Sequence, residues 1–479
     1  MGLALTAGWM RAAAPPSDVH LFFDPAETTA WSHLVRTVNP PSRREIVLRA
    51  DRPWESLMIS FYLTVRDEGG KLRLWYICRD RQNRPNLAYA ESADGINWVK
   101  PDLGIVDYDG SRQNNLVGIA SVEGVVFADP NAAPAERYDY ITHEFPQGMY
   151  RYVSPDGLHW RRRDTPILRC NSDTQNVVFW DERQRQYRFY LRGWNPGTTA
   201  TRTRKVVTAT AASLDQPLRS GPTSPTDVWG KTSLPWIVNQ FPTVLACDDQ
   251  DPPHTDIYNL SALPYPRSPD WYVGFPSYFR HHPDTTYEGR VETHFVASRG
   301  GDHWETYDRA AYTAPGPADS ESANMVFLGE GLVLRGDEIW QYGTGFRSGH
   351  GDVAARLRRT DGVIYRYVQR LDGFVSVDAG KAPGRLTTAP LARTGGGLVL
   401  NADTGALGEI RVEVCDAQGA ALPGYGLDDC DPVAGNGTEL PVSWHGRRDL
   451  SAAGNQTVEL RMQLRRAKLY SYRFSPQVP

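Results

Sequence analysis

Ser92-Ala-Asp94-Gly95-Ile-Asn-Trp98 returns as Ser154-Pro-Asp156-Gly157-Leu-His-Trp160, and again, degraded, as Ser298-Arg-Gly300-Gly301-Asp302-His-Trp304. A looser echo is Ser213-Leu-Asp215, with Trp229 further on. Asp-Gly makes a tight turn, because glycine takes a positive φ without strain and the aspartate side chain bonds the turn backbone. A tryptophan three residues on can fold over the turn and bury a large apolar face. Short aromatic strands recur between these turns: Leu72–Ile77, Tyr138–Ile141, Tyr187–Leu191, Trp271–Phe275 and Ile339–Tyr342. Their spacing, about 50–80 residues, is in the range of propeller blades with loops. The chain therefore reads as all-β, a five-bladed β-propeller followed by a β-sandwich; a single large β-sandwich with similar hairpins is the competing architecture.

Outward from these repeats, residues 1–45 read as an N-terminal arm and 46–384 as the propeller. Residues 385–479 read as a C-terminal β-sandwich. There Ile410-Arg-Val412-Glu-Val414 and Val458-Glu-Leu460-Arg-Met462-Gln-Leu464 alternate strictly, the pattern of a half-buried antiparallel sheet. With 479 residues the chain can bury a substantial core. Its net charge of −4 gives no footprint for nucleic acid or an anionic membrane surface. No apolar run approaches the roughly 20 residues that span a bilayer. Five scattered cysteines, with no Cys-x-x-Cys pair, support neither a zinc site nor a redox motif. The first 16 residues lack a charged segment ahead of a long apolar one, although Ala12-Ala13-Ala14 resembles a cleavage tail; on balance they point to a cytoplasmic location.

Candidate chemistry collects where strands open. The first blade offers Asp51 and Glu55 around Arg52 and Trp54. The second offers Asp129 before Pro130. The third offers Asp173 in a polar run with Gln175 and Asn176, a costly run to set beside a core unless it lines a pocket. The fourth offers His254, Asp256 and Tyr258, and the fifth Glu321. Arg192, Trp194 and His350 complete the candidate binding residues. Trp54, Trp194, Tyr258 and Tyr278 are candidate platforms for a sugar ring. Each has a plainer reading as a turn cap, a strand-edge ion pair or core.

The Asp129-Pro130 pair, the Asp-Gly-x-x-Trp turns and the appended sandwich resemble five-bladed propeller glycosidases. The resemblance is to proteins grouped with glycoside hydrolase family 32, more distantly family 43, and covers about residues 46–479. It implies a carbohydrate substrate and cleavage of a glycosidic bond, of a furanoside or short oligosaccharide. It further implies a base or nucleophile at Asp51 or Glu55, a stabiliser at Asp129 and an acid at Asp173. The family-32 Asn-Asp-Pro-Asn-Gly and Glu-Cys motifs are absent. Such cleavage needs two carboxyl groups flanking the bond. Two other readings stay open. One is a phosphorylase with Arg192, Arg280, His281 and His282 around phosphate. The other is a non-catalytic glycan-binding propeller. No cofactor is called for; a structural calcium in the channel, as some related propellers carry, is compatible with the sequence.

Overall fold

A computed structural model describes residues 19–475, except 122, 145–147, 171, 196–202, 219–240, 284, 286, 393–395 and 452–456. Trp229 lies outside the described residues. The chain is built almost wholly of antiparallel strands. Five sheet units follow one another. The first is Met58–Glu68, Lys71–Arg79 and Pro85–Ser92. The second runs from Val126–Ala128 through Tyr138–Glu144 and Gly148–Ser154 to Arg161–Arg162. The third runs from Val177–Asp181 through Gln186–Trp194 and Arg204–Ala211 to Thr243–Leu245. The fourth opens on Thr255–Pro264 and Tyr272–His281, and the fifth on Met325–Leu328 and Glu338–Phe346. A parallel bridge, Val291 to Met325, joins the last two into one sheet.

Short polar side chains on the opening strands and loops tie each unit to the next. Thr64 Oγ1 accepts from Val126 N at 3.1 Å, linking the first unit to the second. Gly124 bridges Asn176, linking second to third. Thr174 Oγ1 donates to the Tyr258 carbonyl at 3.2 Å, and Ser261 Oγ to that of Gly329 at 2.9 Å. Thr344 Oγ1 donates to the Phe61 carbonyl at 2.8 Å, which returns from the fifth unit to the first. The units thus close into a ring, the arrangement a propeller requires. It leaves the opening strands lining the middle, where a hydroxyl can satisfy a backbone group that no neighbouring strand reaches.

The recurring turns act as clasps between units. Gly95 N and Gly157 N donate to Ser92 Oγ and Ser154 Oγ at 2.8 and 2.9 Å. Trp98 and Trp160 fold back so that each indole N–H meets its glycine carbonyl at 3.1 Å. The same carbonyls accept from the preceding unit. Trp75 reaches Gly157 O at 2.7 Å, Tyr342 reaches Gly95 O at 2.9 Å, and in the degraded copy Tyr190 reaches Gly301 O at 2.9 Å.

The N-terminal segment is woven into the fold. Ser42–Arg49 pairs with Val363–Arg370 as the last strand of the fifth unit, so the ring is closed by a strand from the chain's beginning. Val19–Leu21 and Leu34–Val38 join a sheet with Val375–Ala379, Gly397–Asp403, Asn436–Pro441 and Ala467–Ser475. Thr28–Ser32 joins a second with Gly384–Thr388, Leu391–Ala392, Glu409–Cys415 and Thr457–Arg465. The alternating residues of the sequence, Ile410, Val412, Val458, Leu460, Met462 and Leu464, are buried in one apolar cluster with Leu398, Leu400 and Leu469 of the other sheet. Among the described residues no helix is long and apolar enough to cross a membrane.

Candidate active site

Residues at or just before the opening strands of the first four units, with a loop of the fifth, line one cleft of about 400 Å³. The first unit contributes Ser60, Phe61, Tyr62 and Arg79, and the loop before the second contributes Glu123. The loop before the third contributes Asp173, the fourth unit Tyr258, and the long loop of the fifth Arg356. The fold therefore brings Asp173 and Tyr258 of the sequence candidates to one place.

Glu123 is the carboxyl that sequence reading missed. Its backbone is pinned on both sides: its N–H donates to Thr142 Oγ1 at 2.9 Å, and its carbonyl accepts from Asn176 Nδ2 at 2.6 Å and Asn176 N at 2.9 Å. Asn176 thereby positions Glu123 from beneath and does not line the cleft. Burial and the neighbouring Asp173 charge push the Glu123 carboxyl well above the usual range, and the two carboxyls share a hydrogen bond. Asp173 shifts the other way. Desolvation opposes its charge, but the Arg192 guanidinium 3.8 Å away and the Glu123 proton hold it below its ordinary value. Asp173 stays open to the cleft, its side chain 57% exposed, while that of Glu123 is 23% exposed with His143 Nδ1 at 3.7 Å. The two carboxyls thus bear on each other in opposite directions, Glu123 raised and Asp173 lowered.

Arg192 is buried behind the pair. It donates to Thr174 Oγ1 at 3.2 Å and to the Tyr258 carbonyl at 2.7 Å, and its guanidinium lies 4.4 Å from the Tyr258 ring centre. The Tyr258 hydroxyl meets His350 Nε2 at 2.9 Å. Burial lowers His350 to about 4, so its imidazole is neutral near pH 7. Gln175 accepts from Asn259 at 2.9 Å, buried beneath the cleft floor.

The other sequence candidates stand elsewhere. Glu55 is fully buried and accepts from Tyr76 Oη at 2.5 Å, Lys100 Nζ at 2.8 Å and the backbone of Asp51 and Arg52 at 2.9 and 3.2 Å. Asp51 pairs with Lys100 at 2.7 Å and lies 3.6 Å from Arg52, and Trp54 donates to Asn115 at 2.9 Å. These residues lock the short helical turn Pro53–Glu55 ahead of the first unit, and none reaches the cleft. Asp129 sits at the far end of its strand from Glu123, bonded to Tyr187 Oη at 2.8 Å and Asn131 N at 2.8 Å. Asp256 is buried against Arg204, at 3.0 Å, and His281, at 3.2 Å. Trp194 is buried beneath Arg204, 4.8 Å from the guanidinium. His254 is an exposed turn residue with φ 59°, its carbonyl held by His281 N at 2.8 Å. Glu321 is tied to Arg347 and Arg49 at 2.5 and 3.0 Å, which hold it down to about 2. The arginines and histidines considered for phosphate do not converge. Arg280 and Tyr278 line a separate cavity of about 390 Å³, where Tyr278 stacks on His294 at 3.9 Å.

Glu123 had a signal. It stands three residues before Val126, much as Asp173 stands four before Val177. The offset before the strand, not the Asp-Pro after it, marks the cleft. Among the described residues no group of three or more His, Cys, Asp or Glu side chains could hold a metal ion.

No family model and no curated protein matches the chain. Among solved structures it is similar to a glycoside hydrolase at 14% identity and a TM-score of 0.46, covering 69% of this chain and 92% of that one. It is similar to a family 62 alpha-L-arabinofuranosidase from Coprinopsis cinerea at 10% identity and a TM-score of 0.43, covering 69% and 97%. It is also similar to a family 43 arabinoxylan arabinofuranohydrolase from Bacillus subtilis at 11% identity and a TM-score of 0.39, covering 88% and 96%.

Proposed function

We propose that the protein is an enzyme that cleaves a glycosidic bond, with Glu123 as the proton donor and Asp173 as its ionised partner. The observation that carries this reading is the carboxyl pair, Glu123 and Asp173, lining one cleft with Arg192 3.8 Å from Asp173. An acid must hold its proton near the working pH and sit beside the bond it protonates. The upward direction of the Glu123 shift supports the first condition, and its place in the cleft lining supports the second. Glu123 gives its proton to the departing glycosidic oxygen as the bond to the anomeric carbon breaks, and the shared hydrogen bond with Asp173 steadies the glutamate charge that forms. Hydrogen-bonded carboxyls stand closer than the roughly 5–9.5 Å kept by an acid and a second carboxylate on opposite faces of the bond. The pair is therefore read as one proton-donating unit, with the attack on the anomeric carbon made by a separate group, water in the hydrolytic case. Phe61, Tyr62 and Tyr258 supply the aromatic surface a sugar ring packs against.

The test is release of nitrophenol from a panel of nitrophenyl furanosides and pyranosides, without phosphate. Glu123→Gln and Asp173→Asn are each expected to lower the rate by about 10²–10⁴-fold, the usual worth of a positioned acid. Turnover indifferent to both substitutions would remove the site, and a panel with no turnover would favour a glycan-binding protein.

A further inference from the structure

Several arginines elsewhere in the molecule meet carboxylates. In the second cavity Arg309 is neutralised by Asp248 and Asp251, each at 2.7 Å. Behind the carboxyl pair Arg192 faces Asp173. The cleft arginines differ. Arg79, Arg81 and Arg356 make no ion pair among the described residues. Arg79 has only long contacts of 3.4–3.5 Å to Asn83. Arg81 turns to the carbonyls of the short helix Val353–Arg358. Arg356 donates to Ser348 Oγ at 3.2 Å and to the Gly349 carbonyl at 3.0 Å, and lies over Phe61. All three line the same cleft. Arg356 is partly buried; that burial works against its positive charge, the Asp361 and Asp352 carboxylates favour it, and the Arg79 charge opposes it.

Three cations gathered around one cleft repel each other, and a desolvated, unpaired charge is costly. Glu123 and Asp173 line the same cleft, but among the described residues neither forms an ion pair with these three arginines. A guanidinium fork matches the paired oxygens of a carboxylate, sulfate or phosphate.

We propose that Arg79, Arg81 and Arg356 form an oxyanion-binding subsite beside Glu123 and Asp173, so that an anionic group sits in the cleft during turnover. The subsite takes either a carboxylate or sulfate carried by the sugar, or free phosphate that attacks the anomeric carbon in place of water. In the second case the carbon–oxygen bond to phosphate forms as the glycosidic bond breaks, and the proton from Glu123 goes to the leaving oxygen. The inference rests on the glycosidic reading only for turnover; anion binding stands on its own.

The first experiment is calorimetric titration of the full-length protein with sodium sulfate and with inorganic phosphate, against sodium chloride at equal ionic strength. Saturable binding of sulfate or phosphate is expected. Arg79→Gln and Arg356→Gln should each weaken it about tenfold, as loss of a charge-assisted hydrogen bond does. Arg356→Lys should keep part of the affinity, and Arg280→Gln, in the other cavity, all of it. Should the Arg356 variants fail to fold, Arg81→Gln at the exposed rim reads the same loss. Binding no stronger than chloride, or unchanged when Arg79 and Arg356 are replaced together, overturns the proposal. Activity then separates the two sources. A preference for 4-nitrophenyl uronides over the matching neutral glycosides, without phosphate, assigns the anion to the sugar. Release that requires phosphate assigns it to the nucleophile. Anion binding with no turnover of any glycoside keeps the subsite and removes the glycosidic reading.

Discussion

Glu123 illustrates how a single side chain takes its chemistry from its surroundings. Its pKa in the folded protein lies above the ordinary value of 4.5, so the native state binds this proton more tightly than the unfolded chain does. The stability this contributes is complete below about pH 4.5 and is lost as pH rises through the raised value. Asp173, shifted down, contributes in the opposite sense: its share is present above its ordinary value and is lost as pH falls through the lowered one. Glu123→Gln, which mimics the protonated form, should therefore unfold at a higher temperature than the parent at pH 8 and at a similar temperature at pH 4.5. Thermal melts at the two values check this, and an equal difference at both would contradict it. Gly157 makes a second case. Its φ is +76°, and a Cβ there would stand 2.8 Å from the Trp75 ring. Gly157→Ala should cost about 1–3 kcal/mol in urea unfolding, from backbone strain and overpacking together.

At the scale of the element, the decisive piece is Ser42–Arg49. It is a strand of the fifth unit, supplied from more than 300 residues away in the chain, and its Leu48 is packed with Trp54, Ile59 and Ile364. Closure of this kind makes the first and last units depend on each other. Leu48→Ala should destabilise the protein by about 2–5 kcal/mol, the range for a buried leucine. The exposed Leu407→Ala, in the sandwich, should stay within about 0.5 kcal/mol. Chemical denaturation of both variants measures the contrast. The clasp turns show why this element scale was partly legible. Ser92, Asp94, Gly95 and Trp98 bond within seven residues, so the local pattern carries its own structure. The pairing of Ser42–Arg49 depends on a partner strand that no local pattern names.

The whole molecule is two bodies sewn by one thread. Residues 19–38 belong to the sandwich sheets, the next strand belongs to the ring, and the chain returns to the sandwich only after the fifth unit. Arg370 reaches from that unit to Asn401 Oδ1 and Asn436 Oδ1 at 2.6 and 2.5 Å. The strands of the ring all lie within residues 42–370, whereas the sandwich sheets need strands from both sides of that stretch, 19–38 and those from 375 on. Scanning calorimetry should therefore give one transition, with matching calorimetric and van't Hoff enthalpies. Two separated transitions would show that the bodies fold independently.

By itself the sequence determined what short-range physics controls. The Ser-x-Asp-Gly-x-x-Trp turns, the aromatic strands between them, and the alternating strands after residue 385 all depend on contacts within a few residues, or on a period of two. The all-β architecture follows from them. Only the tertiary structure decided which carboxyls meet. Glu55 and Asp129 have the same chemistry as Glu123, yet Lys100, Tyr76 and Tyr187 occupy them, while Glu123 opens on a cleft assembled from residues as far apart as Ser60 and Arg356. A carboxyl's partners are set by where the ring brings distant loops together, and that placement is the sum of many packing choices that no one stretch of chain contains.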